Sequence, residues 1–208
     1  MTDINKNSVI ELDITDLNNL GNGVGRIDGR VVFVRGAVSG DRVRARVIKV
    51  NKSFSVARLE EIIIPSAERE EGFCGAPLSC GGCVYRNIKY SHELELKYNY
   101  VKNAFIKAGI ADAKILPVIF AGRESAYRNK GQYPLTRVKG RTVAGFYASK
   151  THNVIPAENC AIQNSAFEPI LRLVCEVADE LSWSIYNEES GKGALRHIYL
   201  RIGEKTGE

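Results

Sequence analysis

The sequence predicts an α+β protein: a small OB-like β-barrel of five strands, then a cysteine-rich loop, a helix and a mixed α/β domain. Three observations predict it. Residues 8–64 hold five short apolar or alternating runs divided by turn signals, the pattern of a small barrel. Residues 74–83 hold three cysteines within ten positions. Beyond Ser91 the apolar spacing becomes helical and later returns to period two, so helices and strands are mixed.

In chain order, residues 8–14 (SVIELDI) alternate apolar and polar side chains. Asp28–Gly29 lies between VGRI and RVVFV and predicts a type I′ hairpin. RVRARVIKV (42–50) alternates again, and residues 53–64 (SFSVARLEEIII) supply a further strand. Gly21, Gly23 and Gly25 spell a glycine-rich run, but a phosphate-binding loop needs a helix after its glycines and a hairpin follows here. They read as turn glycines. Pro65 and the run Glu68, Arg69, Glu70, Glu71 open a different texture that leads into the cysteines.

Leu94, Tyr98, Val101, Phe105 and Ala108 recur at helical spacing, Glu93 and Glu95 suit a first turn, and Gly109 is a stop, predicting a helix over 91–109. A second helix is predicted from about Ser165, where SAFE matches a capping box, with Ile170, Leu173, Val174, Val177 and Leu181 as its apolar stripe and Pro169 blurring its start. QYPLTRV (132–138), TVAGFYA (142–148) and LRHIYLRI (195–202) read as strands. The divisions that follow are 1–64 for the barrel, 65–90 for the cysteine loop, 91–118 for a helix and linker, and 119–208 for the α+β domain.

The composition of the 208 residues, 44% hydrophobic and 25% charged, excludes disordered and fibrous classes. No apolar run is long enough to span a bilayer and the polar first residues carry no secretory h-region, so the expected setting is cytoplasmic and away from membranes. Net charge is +5, concentrated locally: residues 41–58 carry six Lys/Arg against one Asp, and 123–150 carry seven against one Glu. Arg42, Arg44 and Arg46 share one strand face by alternation, Lys49, Lys52 and Arg58 extend it, and Phe54 stands beside it. A basic stripe with an aromatic on an OB-like barrel suits single-stranded RNA, the alternative being a solvated outer face with Phe54 in the core. Arg128 and Lys130 begin a second basic block, interleaved with Tyr127 and Tyr133, whose Arg137–Arg141 end also reads as a charged hairpin tip.

Cys74, Cys80 and Cys83 follow C-x5-C-x2-C, and Cys160 follows after 76 intervening residues. In a cytoplasmic setting such thiols point to a metal rather than to disulfides. Structural zinc commonly uses two close cysteine pairs, whereas three clustered thiols and one remote thiol follow the habit of cubane clusters; spacing favours iron–sulfur and leaves zinc, then unliganded thiols, open. Cys175 falls inside the second helix and reads as a small core residue. His92, His152 and His197 share no metal-ligand spacing.

These motifs together resemble the RNA uracil-5-methyltransferase family, in its iron–sulfur-bearing, 23S ribosomal RNA branch. Residues 10–50 resemble the start and the G-D-x-V strand of its RNA-binding TRAM domain; Cys80-Gly81-Gly82-Cys83 resembles its cluster loop; Cys160 in HNVIPAENCAIQ its fourth ligand; Tyr127-Arg128-Asn129-Lys130 its YRNK segment; and GALRHIYLR (193–201) a strand of its central domain. The resemblance implies a 4Fe–4S cluster on Cys74, Cys80, Cys83 and Cys160, ribosomal RNA as partner, and S-adenosylmethionine as the cofactor of a full-length member. It also implies a C-terminal Rossmann-like domain with the catalytic cysteine, the base and the methyl-donor pocket, and no residue here matches any of these. The expectation is therefore a shortened chain or fragment without catalytic residues, inactive alone. The 91–118 segment would then lack its partner surface and the 195–202 strand its neighbour, favouring self-association or a disordered 91–109 helix. The alternatives are a standalone RNA-binding iron–sulfur module and, from another class, a redox or electron-transfer protein.

Overall fold

The computed structural model describes residues 4–70, 74–120 and 122–208. The chain divides into two compact units, Met1–Glu71 with Val84–Ile119, and Gly72–Cys83 with Phe120–Glu208.

The first unit is built on a closed five-stranded barrel, β1 (Val9–Leu17), β2 (Asn22–Ile27), β3 (Arg30–Arg35), β4 (Arg42–Val50) and β5 (Phe54–Ile64), in the order β1-β2-β3-β5-β4 with β4 returning to β1. Only the β3–β5 pair is parallel. Alternation sends Ile10, Leu12, Ile14, Val32, Val34, Val43, Ala45, Val47 and Ala57 into one core. Asp28 and Gly29 both have positive φ (48° and 81°), as a type I′ turn demands. Of the three early glycines only Gly21 is a turn residue. Gly23 and Gly25 lie within β2 and face inward, where an added Cβ would stand 2.9 Å from Ile14 and 2.6 Å from the Asp13 carbonyl oxygen. Barrel closure, not a turn, requires them.

Asp41 opens β4 as a buried staple. Its carboxylate accepts from the backbone N–H of Val38 (2.7 Å) and Ser66 (2.8 Å) and from Arg69 Nη2 (2.5 Å), fastening both ends of the chain's passage through β4 and β5. Leu17, Val38 and Ile88 form a second small core with Tyr85 and Leu96, which anchors the start of α1 (Tyr90–Lys107). The helix ends as its glycine requires: Gly109 (φ 78°) donates to Ile106 and Ile110 donates to Phe105, each at 3.0 Å, a Schellman closure. No α1 residue is buried; Leu94 and Tyr98 are half-buried, Val101 and Phe105 exposed.

The second unit is a four-stranded sheet in the order β8-β7-β6-β9: β6 (Lys130–Val138), β7 (Arg141–Tyr147), β8 (Val154–Pro156) and β9 (His197–Arg201). β6 pairs with β9 through its first half and with β7 through its second; Pro134 sits at the changeover, where a missing N–H is tolerated. The three-residue β8 was too short to give a periodic signal. Helix α2 (Phe167–Glu180) packs on β7 through only part of the expected stripe, Val174 reaching the core and Val177 half-buried. Its buried residues are Phe167, Leu171, Cys175 and Ala178, while Ile170, Leu173 and Leu181 are exposed. Two apolar stripes overlap on this helix, and the one containing small Ala178 and Cys175 allows closer approach to the sheet. The expected SAFE box is also absent: Asn164 Oδ1 receives the Ala166 N–H at 3.0 Å, and Glu168 accepts from Asn159 and Arg172. Pro169 falls in the first turn, where its missing donor has no intrahelical role.

Candidate functional site

Two places concentrate chemistry. On the barrel, Val43, Ala45 and Val47 are fully buried and Arg42, Arg44 and Arg46 face outward. This row is not a bare cationic stripe. Arg44 Nη2 pairs with Glu11 at 2.8 Å and its Nη1 with Glu61, Arg46 Nε with Glu60 at 2.6 Å, and Arg42 lies 3.9 Å from Asp13. The carboxylates come from β1 and β5, on either side of β4, so the charge visible along one strand is largely cancelled across strands. The neighbouring carboxylates also raise the Arg44 guanidinium pKa, hydrogen bonding to Glu11 first among the causes. Among the described residues, exposed Lys49, Lys52 and Arg58 enter no ion pair.

The neighbouring wall, β4-β5-β3, is different. Cross-strand register puts Arg46, Arg58 and Arg35 in one outward row, and Lys49, Val56 and Phe33 in the next, with Phe54 beside Val31 beyond them. Phe33 and Phe54 are half-buried and meet edge to face with centroids 5.4 Å apart. Phe33 was hidden in the sequence inside the apolar run VVFV; alternation against buried Val32 and Val34 is the signal that exposes it. Arg30 locks the base of this wall, its Nε donating to Ser55 Oγ at 2.9 Å and its Nη2 to the Phe54 carbonyl at 3.3 Å.

In the second unit the Cys80–Cys83 turn is clipped to the end of β7. Gly81 donates to the Tyr147 carbonyl at 3.1 Å and Ser149 to Ser79 at 2.9 Å. A Cβ on Gly81 would lie 2.8 Å from the Tyr147 oxygen, so only glycine fits. Cys74, Cys80, Cys83 and Cys160 are all half-buried thiols. Burial raises the Cys83 pKa, and the charges of Cys160, Cys74 and Cys80 raise it further while Arg128 opposes them. Burial likewise raises Cys160, against hydrogen bonds from the Ile162 and Gln163 backbone. Among the described residues, no group of three or more His, Cys, Asp or Glu side chains is arranged to hold a metal ion. Cys175 is buried in α2, within the core that contains Leu171 and Tyr133.

The second basic block separates in the structure. Arg128 is half-buried, and its charge acts on Cys83 and Tyr133. Lys130 is exposed and lies over the Tyr199 ring at 5.6 Å. Arg137 binds the Gly140 and Trp183 carbonyls, and Lys139 and Gly140 have positive φ, so this end is an internally bonded hairpin tip. Sequence reasoning passed over Tyr133 and Gln163 as site residues. Both are buried with side-chain polar atoms that have no partner among the described residues.

The TRAM domain family matches residues 5–59, spanning all but the end of the barrel. The barrel matches the TRAM domain. Beyond this TRAM-like barrel, a protein of Clostridium tetani described as an uncharacterized RNA methyltransferase is 38% identical over 205 residues, covering 99% of this chain and 45% of the relative. One of Synechocystis with the same description is 37% identical, covering 97% of this chain and 44% of the relative. The chain thus spans less than half the length of these curated relatives. Among solved structures, the Pyrococcus abyssi tRNA (uracil-54, C5)-methyltransferase in complex with S-adenosyl-L-homocysteine aligns at a TM-score of 0.70 with 23% identity, over 95% of this chain and 44% of that one. That likeness is one of fold. Among the described residues no helix is long and apolar enough to cross a membrane.

Proposed function

We propose that these 208 residues are the RNA-recognising, 4Fe–4S-bearing portion of an S-adenosylmethionine-dependent ribosomal RNA uracil-5-methyltransferase. The observation that carries the reading is the outward β3–β5–β4 wall, where the Phe33–Phe54 pair is bordered by the exposed cations Lys49 and Arg58 on a TRAM-like barrel. Flat rings offer stacking surfaces to unpaired bases, and the surrounding cations follow the phosphates between them. The curated relatives described as RNA methyltransferases support the same substrate class.

Cys74, Cys80, Cys83 and Cys160 are assigned as cluster ligands. A tetrahedral zinc needs four donors about 2.3 Å from one ion, whereas a cubane spreads its thiolates over separate irons. The spacing of three clustered thiols and one remote thiol supports the second arrangement. Bound there, the cluster would tie the Cys74–Cys83 loop to the Cys160 loop and supply a one-electron couple. Methyl-donor binding and the chemistry at the uracil ring are assigned to the part of the relatives' length that these residues do not span.

Fluorescence anisotropy with uridine-containing single-stranded ribosomal RNA oligonucleotides tests the reading. Binding should weaken steeply with salt, and a duplex of the same sequence should compete poorly. Equal affinity for duplex and single strand, or binding indifferent to salt, would refute it.

A further inference from the structure

The second sheet holds two like charges face to face on its outer surface. Register pairs Lys130 with Arg201, Gln132 with Tyr199 and Pro134 with His197 across β6 and β9. The alternate residues Tyr133, Ile198 and Leu200 belong to the core that contains Phe167 and Leu171 of α2, so these six point the other way. None of the six is a carboxylate. Like charges directly opposite one another destabilise a strand pair, and Lys130 stands directly opposite Arg201. Both are exposed, and among the described residues neither enters an ion pair. An anion between them turns that repulsion into two charge-assisted contacts.

The next cross-strand pair supplies a ring and an amide. Tyr199 is 55% exposed, with Lys130 Nζ 5.6 Å from its ring centroid. Gln132, directly opposite and exposed, carries both a donor and an acceptor. Further along the same face His197 meets the Tyr147 ring edge to face at 6.5 Å, and Tyr147 stacks on His152 at 5.2 Å. A carboxylate at that end, Glu188, is engaged by His152 and Arg196. Paired cations, an open ring and an amide in adjacent register positions match the phosphate, the face and the edge of one nucleotide. An acidic peptide would use the cations and leave the ring and the amide without a role.

We infer that the outer β6–β9 face is a second docking surface for single-stranded RNA, with a phosphate between Lys130 and Arg201 and an unpaired base on Tyr199 beside Gln132. The inference rests on RNA being the partner, not on which wall of the barrel receives it. The lysine stem is flexible, so its ammonium can leave the ring for the phosphate as the base takes the ring.

Fluorescence anisotropy of the full chain with uridine-containing single-stranded ribosomal RNA oligonucleotides tests this, comparing wild type with Tyr199→Ala, Tyr199→Phe, the double variant Lys130→Gln with Arg201→Gln, and Phe33→Ala on the barrel. Lys102→Gln on α1 is the charge control. Tyr199→Ala should weaken binding roughly 5- to 150-fold, the range for one base stack, and Tyr199→Phe, which keeps the ring, should bind as wild type does. The double charge variant should bind more weakly and flatten the plot of log K against log salt by about 0.7 unit, the share of one phosphate on a single strand, whereas Lys102→Gln should not. Its urea midpoint should hold or rise, because the opposed charges are gone, which separates lost binding from lost folding. Unchanged binding by Tyr199→Ala would overturn the inference, and a loss confined to the charge variant would overturn it in favour of a bare anion site. If Phe33→Ala alone weakens binding, the inference falls and the barrel reading stands. If the sheet variants alone weaken it, the inference stands and the barrel reading falls. A wild-type chain that does not bind the oligonucleotide removes both.

Discussion

Replacing Asp41 by Ala should be among the most damaging single changes to the barrel. The Asp41 side chain has no exposure and that of its partner Arg69 only 10%. Truncation removes the acceptor of the Val38 and Ser66 N–H groups and of Arg69 Nε (3.2 Å) and Nη2 (2.5 Å). Among the described residues, Arg69 then keeps its 3.1 Å bond to the Gly36 carbonyl and has no carboxylate opposite its charge. Breaking a buried pair in this way costs about 3–5 kcal/mol. That is a large part of the roughly 5–15 kcal/mol that keeps a domain folded. With a urea dependence of about 2 kcal/mol per M, the midpoint should fall by roughly 2 M. Urea unfolding followed by far-ultraviolet circular dichroism, with hydrogen exchange at the barrel amides, measures it. The double variant Asp41→Leu with Arg69→Met should recover much of the loss, because it removes both charges. A loss below about 1 kcal/mol in Asp41→Ala would show that the pair does not staple the barrel.

Five further outcomes are expected. Phe33→Ala and Phe54→Ala should each weaken single-strand RNA binding by about 1–3 kcal/mol. Neutralising Lys49 or Arg58 should flatten the salt slope by about one unit per lost phosphate contact, and neutralising carboxylate-paired Arg44 should flatten it less; equal effects would deny the ion pairs their role. Replacing Cys74, Cys80, Cys83 or Cys160 by Ser should abolish iron and sulfide uptake, whereas Cys175→Ser should leave it intact, as metal analysis can determine. Asp179 accepts from the Thr142 hydroxyl and N–H, which lowers its pKa below the usual carboxylate value of 3.8; its stabilising effect is present above that value and lost as pH falls through the folded pKa, so Asp179→Asn should flatten the acid limb of the stability profile below about pH 4. Gly145→Ala should disrupt the β7–β8 pairing, since its Cβ would stand 1.9 Å from the Ile155 carbonyl oxygen, and faster exchange of the amides in that pair would reveal it.

The barrel was legible because its information is local: alternation fixes which side chains enter the core, and Asp28–Gly29 fixes a hairpin. The closing glycines Gly23 and Gly25 were misread because their constraint comes from Ile14 and Asp13, on a different strand. The α2 face was misread for a related reason, since the helix alone does not reveal that the sheet prefers the stripe with the smaller residues. Charge was the least legible feature. A single strand displays Arg42, Arg44 and Arg46, but only cross-strand register brings Glu11, Glu60 and Glu61 against them and sets Arg35, Arg58 and Phe33 on one wall. The cysteines were visible as a spacing; that Tyr133 and Gln163 bury side-chain polar atoms with no partner among the described residues became visible only through burial.

The central claim, that the barrel receives RNA on its β3–β5–β4 wall, is tested most directly by photocrosslinking. A single-stranded ribosomal RNA oligonucleotide carrying 4-thiouridine would be irradiated with the full chain and the attachment sites mapped by mass spectrometry. Crosslinks should concentrate on Phe33, Phe54 and the residues flanking them, and should vanish with unlabelled competitor or high salt. Crosslinks confined to β1 or α1, or none that competitor removes, would contradict the account.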